Sequence, residues 1–509
     1  VLVDEEPTRV ERGSRHRRRA VRTRSDWLLV ALVVVVLLAQ LVVLAIRSRH
    51  QWQHFNLSLD FAIFHQAYHQ IGAGDLNPKL TLFGYRFWQS HFELIMWPVA
   101  LLGRLHRNDG LSLLYLQDLA HVAAEAVVVA WVWTESRNTE RGWPILVTVP
   151  IALVLLVANP WPYLAASQDF HFESLATFFV LLAGWDLWNG RRRGWIWIAV
   201  TLLCGDVSAT YVAGLGLSFA VVSRRTRRDG LVLIATGIAW VALVAILGAN
   251  KGSGLADYSY LTSSGKEASG LGGALAIAAG MLRHPSRPLR AVWHKLGRVY
   301  RNLAPTGVVG LVAPWTFGVM VTVLLANALN GKDFFVLPSY QNWPVYLFGT
   351  LGTVLLIHAW STRPGRWQVT AAVVLVVVVV NALVFDAAHR HHAKLPYQVS
   401  GAAAHELATA RRQVAGNAQV VASFGVVGRF AGRKHAYALL YGGQRFPIRE
   451  RRVMFLFAPG VGNEPLPPDI TGNDERYVRN VLRARVVVDG NAVRLYDWRP
   501  AGPGTIRLP

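Results

Sequence analysis

Apolar residues in this chain come in long unbroken blocks. Trp27 to Ile46 contains no charged side chain, and such a block is long enough to cross about 30 Å of hydrocarbon as a helix. The pattern predicts further spans at Leu111 to Trp133, Trp143 to Ala158, Phe172 to Trp188, Trp195 to Leu203, Val207 to Val222 and Leu231 to Ala249. Val308 to Asn327, interrupted at Pro314, Val345 to Trp360 and Val369 to Phe385 complete the series. Reading the Pro314 break as the tip of a hairpin gives roughly eleven spans, since proline in a membrane helix frees backbone groups that neighbours must satisfy. Ile95 to Leu105 is apolar but short, which suits a tilted or interfacial helix. Leu271 to Leu303 is amphipathic. After Phe385 the pattern changes to short strand-like runs at Val420 to Phe424, Val453 to Phe457 and Arg485 to Asp489, with a helix at Ala402 to Val414. The predicted fold class is therefore an α-helical polytopic membrane protein with a small C-terminal α/β domain. Its expected divisions are a basic cytoplasmic tail (1–26), a membrane domain (27–388) and an extracytoplasmic α/β domain (389–509).

Charge sharpens the topology. The 509 residues carry a formal net charge of +22. Arg12 to Arg24 holds seven arginines and no acid, and further clusters at Arg191, Arg192 and Arg193 and at Arg224, Arg225, Arg227 and Arg228 fall between spans. Basic residues in short loops mark the cytoplasmic side. They are not interleaved with aromatics as a single-strand nucleic-acid groove requires, so no nucleic-acid partner is expected. Arg47 to Arg49 follow the first span directly, which argues for a retained helix and against a cleaved leader. One cysteine, Cys204, excludes an intramolecular disulfide and a multi-cysteine zinc site.

Under this orientation three polar clusters share the outer side: Asp60 with His65 and His69; His91 with Glu93; and Asp169, His171 and Glu173, followed by Asp206. Ionisable residues at a membrane edge are costly and are functional candidates by default. Asp60 has two readings, as the cap of a helix starting at Phe61 or as a base for an acceptor hydroxyl. Asp169, His171 and Glu173 are either metal ligands or first-turn acids of the next helix. Tyr340, Gln341 and Asn342 suit an interfacial belt or sugar recognition through hydrogen bonds. There is no Walker loop, no Gly-x-Ser-x-Gly and no dinucleotide fingerprint, so a sugar donor would have to be lipid-borne.

Leu59-Asp60-Phe61-Ala62-Ile63-Phe64-His65-Gln66-Ala67 resembles the first-loop motif of DUF2079, an actinobacterial and archaeal membrane-protein family grouped with the GT-C glycosyltransferases. Ser90-His91-Phe92, Trp97-Pro98, Leu114 to Gln117, Asp169 to Glu173 and Val212 to Leu217 continue the likeness over roughly 55 to 350, with an echo at Val426 to Gly432. The family often has Asp at the position of His65 and a Lys-Glu pair at Cys204 and Gly205. The resemblance implies an inverting transfer from a polyprenyl-phosphate sugar, with mannose expected, to a hydroxyl-bearing acceptor outside the cytoplasm. It makes Asp60 the catalytic base. Substrate contacts are expected from His65, His91, Glu93, Asp169, His171, Glu173, Asp206, Tyr340, Gln341 and Asn342. Arg86, Lys251, Arg298 and Arg301 are the candidates for the donor phosphate. No metal and no cofactor is expected. Two rivals remain: a flippase, which would need charges near the midplane and repeated broken helices, and a non-catalytic envelope assembly protein.

Overall fold

The computed structural model describes residues 24–106, 109–139, 143–167, 169–248, 254–262, 268, 270–332, 340–392 and 399–509. Six helices among the described residues are long and apolar enough to cross a membrane: Arg24–Gln53, Leu111–Asn138, Ile145–Leu164, Arg224–Ile246, Tyr340–Ser361 and Arg366–Phe385. Shorter apolar helices at Gly194–Leu203, Ser208–Val222 and Phe317–Leu329 fill the remaining expected span positions, together with Glu173–Trp188. We number the helices used below α1 (Arg24–Gln53), α2 (Leu59–Gly72), α3 (Leu111–Asn138), α4 (Glu173–Trp188), α5 (Gly194–Leu203), α6 (Ser208–Val222), α7 (Arg224–Ile246), α8 (Gly270–Arg283), α9 (Ser286–Leu303), α10 (Phe317–Leu329), α11 (Trp343–Ser361), α12 (Arg366–His392) and α13 (Gly401–Gln413).

Burial separates the inner helices from the outer ones. The Tyr340–Ser361 window is 83% buried, whereas those of α1, α7 and α12 are 22%, 22% and 17% buried. The last three therefore turn their Val and Leu side chains to lipid. Small residues let the inner helices approach: a Cβ on Gly216 would meet the Gly230 carbonyl of α7 at 2.6 Å, and one on Gly214 would meet the Val319 Cα of α10 at 2.7 Å. The Val212 to Leu217 motif is thus a packing motif of the kind that brings membrane helices together. Polar side chains inside the bundle pair across helices, Gln40 with Glu125 at 3.0 Å and His121 with the Tyr346 hydroxyl at 3.1 Å. At one end, fully buried Asp186 binds Arg193 at 2.6 Å and Arg191 at 3.3 Å, fixing two of the three arginines there.

The Pro314 break is present. The chain leaves α9, passes through short 3-10 turns at Ala304–Thr306 and Val308–Val312, and returns in α10. The flanks of this reversal meet, because Lys332 Nζ lies 3.2 Å from Asp257 Oδ1. Leu271 to Leu303 forms two helices, α8 and α9, separated at His284 and Pro285.

The C-terminal region is α/β, with a five-stranded sheet in the order β2-β1-β4-β6-β5. Its strands are β1 (Gln419–Ser423), β2 (Ala436–Leu439), β4 (Val453–Phe457), β5 (Arg485–Asp489) and β6 (Arg494–Trp498). The first three are parallel, and β6 and β5 add antiparallel. A second pair joins β3 (Arg445–Ile448) to β7 (Gly504–Arg507). Two of the three expected strands are buried throughout, but β5 is an edge strand and largely exposed. This unit sits on α2 and the turn before it. Gly428 N donates to Leu57 O at 3.1 Å, Arg429 Nη1 to Trp52 O at 2.9 Å, and Gln66 Nε2 to Lys434 O at 3.1 Å.

Candidate active site

Helix α2 begins at Leu59 with Ser58 as its N-cap residue, so Asp60 lies in the first turn and is not the cap. A carboxylate there is favoured by the helix dipole, and Asp60 remains exposed. Asp169 accepts a hydrogen bond from Ser58 N at 3.2 Å and a second from the Ser58 hydroxyl. It thereby fixes the residue two before Asp60. Desolvation, and then the Asp60 charge, push the Asp169 carboxyl up to about 7.

The alternation Asp169-Phe170-His171-Phe172-Glu173 has a structural cause. Phe170 and Phe172 are fully buried and meet the Phe64 ring edge-on at 5.5 and 5.6 Å. The His171 ring also meets Phe64 edge-on at 5.7 Å, and His171 and Glu173 line the cavity beside this aromatic cluster. His171 N donates to Gln117 Oε1 of α3 at 2.9 Å, and its ring stacks on Tyr340 with centroids 3.4 Å apart. Glu93 is 5% exposed and follows Phe92, which holds the left-handed conformation (φ 54). That strained turn places Glu93 inward, while Phe92 packs on Trp240 of α7. Non-glycine residues in this region are uncommon and cluster at functional sites.

These elements enclose a cavity of about 450 Å³. Its lining includes Asp60, Glu93, His171, Glu173, Asp206, Tyr340 and Gln341 from the sequence-derived set. Tyr340 lines the same cavity as Asp60, Glu93 and Glu173, so four chain segments converge on it. One wall is apolar, made by Val241, Val244 and Ala245 of α7 and by Leu271 and Ala274 of α8. Val241 and Leu271 are 44% and 47% exposed. The α7 wall belongs to a helix whose apolar window is only 22% buried, so the cavity adjoins a lipid-facing helix.

Several expected residues lie elsewhere. His65 is buried (4% exposed), and its Nδ1 donates to Gly428 O at 2.9 Å. It fastens the C-terminal unit and does not line the cavity. Burial holds its imidazole down to about 4, against some help from that hydrogen bond. Asp169 acts through Ser58, and Asn342 accepts from Asn327 Nδ2 at 2.8 Å. Arg86 is exposed and donates to Asn77 O at 3.0 Å. Arg298 and Arg301 are on α9, outside the lining. Lys251 and the side chain of His91 lie outside the described residues.

Sequence reasoning missed Ser90, Tyr211, Asp257, Tyr258, Asn327 and Lys332, all of which line the cavity. Lys332 is the one cation among the described lining residues. No group of three His, Cys, Asp or Glu is gathered for a metal among the described residues.

A family model described as "Predicted membrane protein (DUF2079)" matches residues 50–455. The chain belongs to the DUF2079 family. Its match runs from the end of α1 through the cavity segments and into β4 of the C-terminal sheet. A crystal structure of ArnT from Cupriavidus metallidurans bound to undecaprenyl phosphate is similar, with a TM-score of 0.47 and 13% identity. The alignment covers 95% of this DUF2079 protein and 100% of that chain. No curated relative matches the chain.

Proposed function

We propose that this DUF2079 protein is an inverting GT-C-type membrane glycosyltransferase that moves a sugar from a polyprenyl phosphate to an acceptor hydroxyl. The observation that carries the reading is the convergence of Asp60, Glu93, Glu173 and Asp206 on one cavity bordering lipid. Asp60 takes the acceptor proton as the acceptor oxygen attacks the anomeric carbon, and the bond from that carbon to the phosphate oxygen breaks on the opposite face. The polyprenyl phosphate leaves with increased negative charge. Lys332 is placed to meet it, by exchanging Asp257 for a phosphate oxygen, since a cation aimed at developing charge lowers the barrier. His171 and Tyr340 offer a stacked pair against which a sugar ring can rest, and Glu93, Gln341 and Asp206 offer hydrogen bonds to its hydroxyls. Mannose is the first sugar to test. An envelope glycan or lipid, a secreted protein and a secreted lipoglycodepsipeptide are the acceptor classes.

The cavity side is assigned to the extracytoplasmic face. Helix α7 carries its arginines at the Arg224 end and its cavity residues at the other, and α4 runs from cavity residue Glu173 toward the Arg191 triplet. Arginine-rich ends favour the cytoplasm. The sugar-transfer reading is favoured over a flippase because the lining carboxylates sit at helix ends and entry loops.

Purified protein in lipid discs, given mannose on a polyprenyl phosphate, is expected to release polyprenyl phosphate with an acceptor extract, whereas GDP-mannose alone gives no transfer. Asp60→Asn should lower turnover by about 100-fold or more while leaving thermal unfolding unchanged. Efficient use of GDP-mannose, or near wild-type turnover of Asp60→Asn, refutes the assignment.

A further inference from the structure

Helix α9 carries three distinct stripes. Leu289, Trp293, Leu296 and Tyr300 are 70%, 73%, 44% and 54% exposed and follow one another at helical spacing. Ala291, Val292, Lys295 and Val299 are half-buried and lead to buried Asn302 and Leu303. Arg287, Arg290, His294, Arg298 and Arg301 form the third stripe. At 3.6 residues per turn the stripes lie roughly a third of a turn apart. A soluble helix pairs an inner apolar face with an outer polar one, so a second apolar face left outside needs an occupant.

Lys295 of the inner face and Arg287, at the start of the basic stripe, anchor the helix to its neighbours. Lys295 Nζ donates to Asn330 O at 2.6 Å and to Lys332 O at 3.1 Å, and Arg287 Nη1 donates to Thr262 O at 2.9 Å. Lys332, which pairs with Asp257, is thus held directly by Lys295. Helix α9 also packs against α10 and α11, at the cavity end of the bundle.

We propose that α9 lies obliquely in the membrane interface, with Leu289, Trp293, Leu296 and Tyr300 among acyl chains and Arg290, Arg298 and Arg301 on acidic phospholipid headgroups. Charge complementarity selects this occupant: Ser286–Leu303 contains no acidic residue. Interfacial helices combine such a basic face with a Trp- and Leu-bearing one, and long arginines reach back to phosphates while their stems stay in hydrocarbon. The bilayer thereby braces the cavity wall through Lys295 and Arg287. This inference is independent of the reaction the cavity performs.

Spin labels provide the test. In a Cys204→Ser background, single cysteines at Leu289, Trp293 and His294 are labelled in protein reconstituted into phosphatidylcholine discs with and without phosphatidylglycerol. Labels at positions 289 and 293 should be severalfold more accessible to oxygen than to a water-soluble nickel chelate, and the label at 294 the reverse. Phosphatidylglycerol should drive the first two deeper, and the added depth should vanish in the Arg290→Gln, Arg298→Gln, Arg301→Gln triple variant. Equal exposure of 293 and 294 to the chelate overturns the proposal. So does shielding of 293 from both reagents, which would mean a protein cover, or a depth insensitive to acidic lipid.

Discussion

Acid should loosen the C-terminal unit from α2, and His65 is the group through which it does so. The His65 ring is held between two glycines, where a Cβ on Gly110 would lie 2.9 Å from Cδ2 and one on Gly432 2.6 Å from Nε2. Arg411, His69 and Arg433 face it with like charge. The docked imidazole binds a proton only near about 4, against an ordinary value of 6.5. The undocked state therefore holds more protons between these values, so docking is at full strength above the upper one and weakens as pH falls through it. At about pH 5 the loss is about 2 kcal/mol, roughly a 30-fold shift of the docking equilibrium. Arg429, which stacks on Phe55 at 4.0 Å, stays charged in this window and keeps part of the contact. Hydrogen exchange of the Phe424–Phe430 turn in lipid discs, corrected for intrinsic rates, should show faster opening at about pH 5 than at about pH 7.5. His65→Gln retains a donor for the Gly428 carbonyl but cannot titrate, so the acid-induced rise in exchange should be lost, and only the opposite slope from Glu464, which accepts from Gly425 N, should remain. An identical acid response in His65→Gln, or none in the wild type, refutes the argument.

Asp169 predicts the opposite slope. Its folded value is raised to about 7, so the native state holds the proton longer and stability falls as pH rises from about 4 to 7; Asp169→Asn should flatten that fall in thermal unfolding, and unchanged curvature would refute the shift. Excess EDTA should leave sugar transfer intact, because the lining offers no three-ligand cluster among the described residues; inhibition reversed by Mn²⁺ would make His171 and Glu173 ligands. Alkaline phosphatase fused after Pro509 should be active, since the C-terminal unit sits on the same helix as Asp60; an inactive fusion with a fluorescent cytoplasmic reporter would reverse the assignment.

The membrane spans were legible because a helix crossing lipid needs a long, mostly apolar run, and the few polar side chains within them, such as Gln40 and Glu125, pair across helices. The cavity acids were legible because Asp60, Glu93, Glu173 and Asp206 interrupt or bound such runs. His65 was misread because its partner Gly428 is 363 positions away, and nothing local distinguishes a helix-face histidine that fastens a domain from one that touches a ligand. Lys332 gave no signal, being a lone lysine in a polar loop whose importance comes from the chain reversal that brings it to Asp257. Strands β2, β3, β6 and β7 have four or five residues each, and β6 places Asp497 under Arg452 at 2.9 Å, so composition alone disguised it. The exposed apolar stripe of α9 was visible as amphipathicity, but its separation from the inner face was not.

The docking of residue 428 on residue 65 also sets a timetable. A ribosome adding about 5–20 residues per second delivers Gly428 roughly 20–70 s after His65. Throughout that interval Trp52, Phe55 and Leu57 await the cover that leaves them 6%, 0% and 1% exposed in the finished protein. The early helices thus pass through synthesis with an uncovered apolar surface. Chains cut short before Gly428 should keep that surface open and be cleared by proteolysis.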